Sequence, residues 1–282
     1  MTNILKTVFL IVTNPIIEVK EHYSGLNRAN QVGEALEEYV KDAFADTFDL
    51  TEFERMKRFN KVFSYLGNQN NPPDMMIKGG DAIEIKKLNQ PGGILQLNSS
   101  YPKSRLHVDN PMIKKSCKTC EDWDVKDFIY VVGHLQKNSL NTLWMVYGDC
   151  FVADKEVYEN IKKEVTAGIN SIPGIDFGET VEPGRINKVD PLGYTDLRLR
   201  GMWHIKHPKN IFGYLDVYSK TSDFQLICIM RTDKYFSFPE ENRNLLGNLD
   251  VSGFEIIDKK ISNPNNPAEL VDCKAIIFRI KS

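Results

Sequence analysis

The chain has 282 residues, of which 41% are hydrophobic, 26% charged and 10% aromatic, with a formal net charge of −2. That is an ordinary globular composition, long enough for one large domain or a core with a smaller lobe, and too close to neutral for a protein that coats nucleic acid indiscriminately. No apolar run reaches the ~18 residues a membrane span needs, and the apolar stretch Val8–Val12 lacks a basic leader and a cleavage site, so a cytoplasmic protein is expected.

In chain order, residues 1–20 contain an apolar helical or strand-like segment. Residues 27–48 read as an amphipathic helix, with Asn27 or Asn30 as its cap. On that helix Gly33, Glu37, Val40 and Phe44 share one stripe, while Glu34, Glu38 and Lys41 share an opposite, solvated one. Residues 52–67 add a second helical stretch. Residues 71–88 hold two short apolar runs around Gly79-Gly80, a strand–turn–strand signal. Strands are expected at 93–98, 127–135 and 143–153, and a helix at about 154–168. Residues 171–193 turn to Gly, Pro, Asp and Asn, the composition of a linker or long loop. Strands return at 195–200, 223–230 and 274–281. This order suits an α/β fold, a mixed central sheet flanked by helices. We expect residues 1–170 to form a catalytic core and residues 171–282 a C-terminal α+β recognition and sheet-completing region that is not an independent domain.

The hairpin carries the chemistry. Side chains alternate along a strand, so Glu84 and Lys86 share a face while Ile83 and Ile85 point into the core. The turn can bring Asp74 beside Glu84. Two adjacent carboxylates repel, and a divalent cation relieves that repulsion; hard oxygen ligands suit Mg²⁺. Lys86 would then orient a water for attack on phosphorus. The same residues would also make a plain solvated hairpin with a surface Glu/Lys pair. Pro73-Asp74, nine intervening residues and Glu84-Ile85-Lys86 resemble the PD-(D/E)XK nuclease superfamily. The resemblance implies Asp74, Glu84 and the backbone carbonyl of Ile85 as metal ligands, Lys86 as the water-orienting group, and a further acid from an N-terminal helix, for which Glu37 is the candidate.

Polar segments flank this hairpin on both sides. Asn68, Asn70 and Asn71 precede Asp74; Asn98, Ser99, Ser100, Lys103 and Arg105 follow the catalytic strand. Amides, hydroxyls and cations of this kind contact DNA phosphates, and they also make ordinary turns. Leu197-Arg198-Leu199-Arg200 alternates strictly, which puts both arginines on one strand face. Arginine paired with guanine O6/N7 is the commonest specific base contact, so Arg198 and Arg200 are candidate readers, the competing role being ion pairs with Asp190 or Asp196. His204 and His207 lack a further metal ligand and Pro208 argues against a helix there, so both read as phosphate or surface contacts, with His204 the candidate DNA contact. Cys117 and Cys120 form a CxxC with no second ligand pair, so reduced thiols are expected rather than structural zinc.

Four segments together, Asn27–Glu37, Tyr65–Asp74, Asp81–Lys87 and Leu97–Lys103, resemble the NgoPII-type restriction endonucleases. That resemblance implies Mg²⁺-dependent cleavage of double-stranded DNA at a short palindrome, the subgroup's site being GGCC, by a homodimer whose host carries a cognate DNA methyltransferase. Two alternatives remain open on the sequence: a repair or recombination nuclease with the same core, and a DNA-binding protein with a degenerate one.

Overall fold

The computed structural model describes residues 2–281 except 27, 29–31, 69–70 and 98–99, and the side chains of residues 32 and 68 are likewise outside the description. Both proposed caps, Asn27 and Asn30, therefore lie outside the described residues. In chain order the helices α1 (Ile4–Thr13), α2 (Val19–Gly25), α3 (Val32–Ala45) and α4 (Glu52–Val62) come first. Strands β1 (Phe63–Asn68), β2 (Asn71–Ile77), β3 (Ala82–Leu88), β4 (Leu95–Gln96) and β5 (Arg105–His107) follow. Next come α5 (Lys115–Lys118), β6 (Val125–Gln136), β7 (Ser139–Tyr147) and α6 (Lys155–Asn170). The chain then forms β8 (Gly184–Ile186), β9 (Leu197–Leu199), β10 (His204–Ile205), α7 (Pro208–Ile211) and β11 (Phe224–Arg231). It closes with α8 (Thr232–Ser237), α9 (Glu240–Gly247), β12 (Phe254–Asn263) and β13 (Asn266–Ile280).

The helices and strands form because local signals and burial agree. Asn3 caps α1 through its side chain, and Thr51 and Glu54 close a capping box on α4. Strands β6, β7 and β11 are buried almost end to end, and their near-continuous Val, Ile, Leu and aromatic runs are what a sheet covered on both faces requires. They form the middle of a nine-stranded mixed sheet of order β1-β2-β3-β6-β7-β11-β13-β12, with β5 pairing β6 off that path. β3 runs parallel to β6 and β7 parallel to β11; the other pairs are antiparallel. A mixed central sheet flanked by helices is the architecture the sequence led us to expect. α3 crosses this sheet closely, because Gly133 of β6 has no Cβ; one built there would fall 2.6 Å from Leu36 Cδ2.

Several boundaries differ from the sequence reading. The second helical stretch ends at Val62, and residues 63–68 are already strand. The strand expected at 93–98 shrinks to β4, which leaves the main sheet and pairs with β10. β12 and the helices α8 and α9 were not anticipated, and the region 171–193 contains β8. The stripe assigned to solvent on α3 is not solvated either. Glu38 is half-buried and paired with Lys41 and with Arg55 of α4, and Arg55 also reaches the fully buried Asp42 at 2.6 Å. Helical periodicity marks one apolar face; it does not show that a second helix lies against the polar one.

Candidate active site and nucleic-acid interface

The β2–β3 ladder pairs Met75 with Ile83 and Met76 with Ala82, so the next step in register sets Asp74 opposite Glu84. No ladder pair forms there. Instead the Asp74 carboxylate takes the backbone N–H of Ile85 at 2.6 Å, which fixes its side chain at the mouth of the hairpin. The backbone of β1 makes this possible: a Cβ on Gly67 would lie 2.3 Å from the carbonyl oxygen of Pro73 and 3.1 Å from that of Asp74. Lys86 follows Glu84 on the same strand face and its Nζ lies 2.7 Å from Glu84 Oε1. Lys87 is on the other face and exposed.

Charges at this mouth act on one another. Burial, and then repulsion from Glu84, hold the Asp74 carboxyl well above its ordinary range, against the opposing pull of Lys86 and the Ile85 N–H. Burial works against the Lys86 ammonium, but Glu84, Asp74 and Glu37 outweigh it and keep the amine protonated. The Glu37 carboxyl is raised too, first by burial, while Lys41 and Lys86 pull it down. Glu37 therefore stands within electrostatic reach of the cluster, from the same half-buried stripe of α3 that its spacing marks out.

One atom of the cluster is left over. Glu84 Oε2 is buried and has no hydrogen-bond partner, although Oε1 of the same carboxylate is held by Lys86. A buried carboxylate oxygen without a partner is costly. With the Asp74 carboxylate beside it, destabilised by burial and by Glu84, the donor set fits a hard divalent cation held by two carboxylates, a backbone carbonyl and exchangeable oxygens. Among the described residues, no cluster of three or more His, Cys, Asp or Glu side chains gathers as a metal site; Glu37 acts on the pair through its charge.

Sequence comparison meets this geometry over nearly the whole chain. Residues 2–262 match the model of the NgoPII restriction endonuclease family. The chain belongs to that family. It is also 47% identical over 279 residues to the Type II restriction enzyme NgoPII of Neisseria gonorrhoeae, covering 99% of this chain and 100% of that one. No solved structure matches it.

For this restriction endonuclease the residues expected to meet DNA fall into separate places. Asn70, Asn98 and Ser99 lie outside the described residues, as does the side chain of Asn68. Asn71 is half-buried and its amide reaches the Met112 carbonyl at 3.5 Å. Ser100 and Lys103 point inward: Lys103 is only 4% exposed, and its ammonium donates to Ser100 Oγ and to the Tyr101 carbonyl. Burial pushes the Lys103 amine down to about 8, against the pull of Glu84. Lys103 is thus buried on the Glu84 face of the sheet, where a DNA-contacting cation was expected; its backbone N–H is held by the hydroxyl of Tyr130, the ladder partner of Glu84. Arg105 is exposed but ion-paired with Asp127 at 3.2 Å at the start of β6, apart from the carboxylate pair. His204 is exposed on β10, but His207 is buried and its Nδ1 accepts the Lys209 backbone N–H as the cap of α7, whose first residue is Pro208.

Arg198 and Arg200 do share a face, and their partner is neither Asp190 nor Asp196. Both guanidinium groups bind Glu182, a buried residue just before β8, while Asp196 binds Arg185. Glu182 and Tyr130 were missed because nothing in their local sequence distinguishes them. The Arg198/Arg200 alternation does imply a shared counter-charge, and only the fold shows which acid supplies it.

Proposed function

We propose that this protein is a type II restriction endonuclease that hydrolyses phosphodiester bonds of double-stranded DNA at a short GC-rich palindrome with Mg²⁺ as cofactor, GGCC being the site that the family resemblance implies. The observation that carries this reading is the Asp74–Glu84–Lys86 cluster with its unpartnered Glu84 oxygen, in a chain of this family. Asp74, Glu84 and the Ile85 carbonyl would hold Mg²⁺, which when bound polarises the phosphoryl oxygen and stabilises the leaving 3′-oxygen. Lys86, kept as an ammonium by three carboxylates, orients the attacking water by donating to it. Glu37 adds negative potential on the same side. Asn68, Asn70, Asn71, Asn98, Ser99, Arg105, Arg198, Arg200 and His204 are the proposed DNA contacts; Ser100 and Lys103, buried and hydrogen-bonded to each other, brace the segment between β4 and β5.

A palindrome presents two equivalent scissile bonds, and two equivalent active sites follow most simply from a two-fold homodimer. Helix α6 supports this reading. Its residues Val157, Ile161 and Val165 form one apolar stripe and are 50%, 54% and 48% exposed, an unpartnered face that a second copy would cover. The protein would act in the cytoplasm, where a methyltransferase of the same system protects the host sites; no contact with it is implied. No helix among the described residues is long and apolar enough to cross a membrane. Digestion of a plasmid of known sequence with Mg²⁺ tests the proposal. Discrete fragments whose ends map to one short palindrome are expected. A random smear, or cutting confined to branched substrates, would replace it with a repair-type nuclease.

A further inference from the structure

Strands β8 and β9 form a two-stranded antiparallel ribbon outside the main sheet, pairing Gly184 with Leu199, Arg185 with Arg198 and Ile186 with Leu197. Directly opposed residues of such a pair point to the same face, so Arg185 and Arg198 stand side by side, with Arg200 two residues further on that face. The other face is occupied: a Cβ on Gly184 would meet Leu199 Cδ1 at 3.1 Å, Ile169 Cγ2 of α6 at 3.0 Å and the Phe177 ring at 3.4 Å. The ribbon therefore rests its apolar side on α6 and turns its arginine side outward.

Three guanidinium groups on one small face repel, and two acids hold them in place. Glu182 is 8% exposed, and its carboxylate takes Arg198 in a two-bond fork, Nε to Oε2 at 2.9 Å and Nη2 to Oε1 at 3.0 Å. Arg200 Nε lies 2.9 Å from the same Oε1. Arg185 Nη2 donates to Asp196 at 2.8 Å, and Asp196 is itself anchored by the backbone N–H of Lys188. The fork engages the inner edges of the arginines. Nη1 of Arg198 and both Nη groups of Arg200 have no acceptor among the described residues, and these side chains remain 52% and 59% exposed. A ribbon that needed only stability would gain little from opposed arginines. Guanidinium groups aimed by buried or tethered acids, with free outer edges, are instead preorganised for a planar acceptor pair.

We propose that the β8–β9 ribbon is the base-reading element, entering the major groove of double-stranded DNA arginine face first, with Arg185 joining Arg198 and Arg200 as a reader and Glu182 as the positioning residue that sets the two guanidinium planes. A two-stranded ribbon fits that groove, and the free Nη edges match the O6/N7 acceptors of guanine. This rests on the DNA-cleaving reading above and assigns its recognition surface.

Equilibrium binding tests it, using the full-length protein with Ca²⁺ in place of Mg²⁺, on a duplex carrying the site mapped by digestion, its single-base-pair variants and a site-free duplex. Glu182→Gln removes a negative charge, so binding to the site-free duplex should hold or tighten. Discrimination at one or two G·C pairs should meanwhile fall roughly ten- to hundred-fold. Arg198→Lys, at an exposed position that keeps its charge, should lose discrimination at one base pair with the salt slope unchanged, and it decides the matter if Glu182→Gln fails to fold. Unchanged discrimination in both variants would make the clamp purely structural and overturn the proposal. So would an equal loss of affinity on every duplex, which marks a phosphate contact. A wild-type protein that binds no duplex at all would instead overturn the DNA-cleaving reading itself.

Discussion

Asp74 and Glu84 form one acid pair, and removing either carboxylate should have the same first effect. Asp74→Asn and Glu84→Gln each remove a proposed cation ligand, so cleavage should fall by orders of magnitude while site-specific binding survives, because the acid pair opposes the DNA phosphate. Near-normal cutting by either variant would reject the site. Lys86 and Lys87 separate register from mere charge: Lys86→Ala should abolish turnover, and Lys87→Ala should leave it close to normal, since only Lys86 lies on the Glu84 face. The reverse would mean that the other strand face meets the phosphate. Asp74 also makes a pH prediction. Its carboxyl is raised by burial and by Glu84, so the folded state binds that proton more tightly than the unfolded chain does. In the metal-free protein, ionising this group costs stability. That cost is relieved as pH falls through the raised value towards the ordinary carboxylate range. Asp74→Asn should therefore melt higher than wild type at neutral pH without metal, and the gap should narrow on acidification through that window. Thermal melts in a chelator decide it; a constant gap would mean that Asp74 is not destabilised by its charge.

At the scale of elements, the active site depends on how closely β1 lies against β2. Gly67→Ala would drive a methyl group into the Pro73 carbonyl, a backbone atom that cannot swing away. The strain should cost about 1–3 kcal/mol and shift Asp74 from the Ile85 N–H, lowering both the melting temperature and the cleavage rate. An active, stable Gly67→Ala protein would show that β1 can move without disturbing Asp74. Thr51→Ala offers a contrast. It removes the α4 capping box at a position remote from the acid pair and should cost roughly 1 kcal/mol of stability with cleavage of the folded protein little changed.

At the scale of the whole molecule, the exposed stripe of α6 bears on assembly. Ile161→Asp places a charge at its middle without touching the core, since Ile161 is 54% exposed. Sedimentation velocity should show a wild-type dimer and a largely monomeric variant, with coordinated double-strand cleavage reduced in step. A dimer that persists in Ile161→Asp would move the interface elsewhere; a wild-type monomer would remove the homodimer. α6 also links this surface to the active-site loop, because Glu159 accepts the Tyr101 hydroxyl at 2.8 Å and Asp154 accepts Ser104 Oγ at 2.8 Å.

What the sequence determined by itself was local. Alternation placed Glu84 with Lys86, the Gly79-Gly80 turn returned the strand towards Asp74, helical spacing set Glu37 on the inward stripe of α3, and apolar runs marked β6, β7 and β11. Each follows from backbone periodicity over a few residues, which is why short segments suffice. The tertiary structure decided everything that depends on distant partners. It buried Lys103 against Ser100 and the Tyr101 carbonyl, drew Glu38 into an ion pair with Arg55, and brought Glu182 beneath Arg198 and Arg200. It also reduced the strand expected at 93–98 to a short pair with β10. A charged side chain carries no local mark of the counter-charge it will meet. That choice is made by burial, which penalises an unpaired charge only after the chain has folded around it.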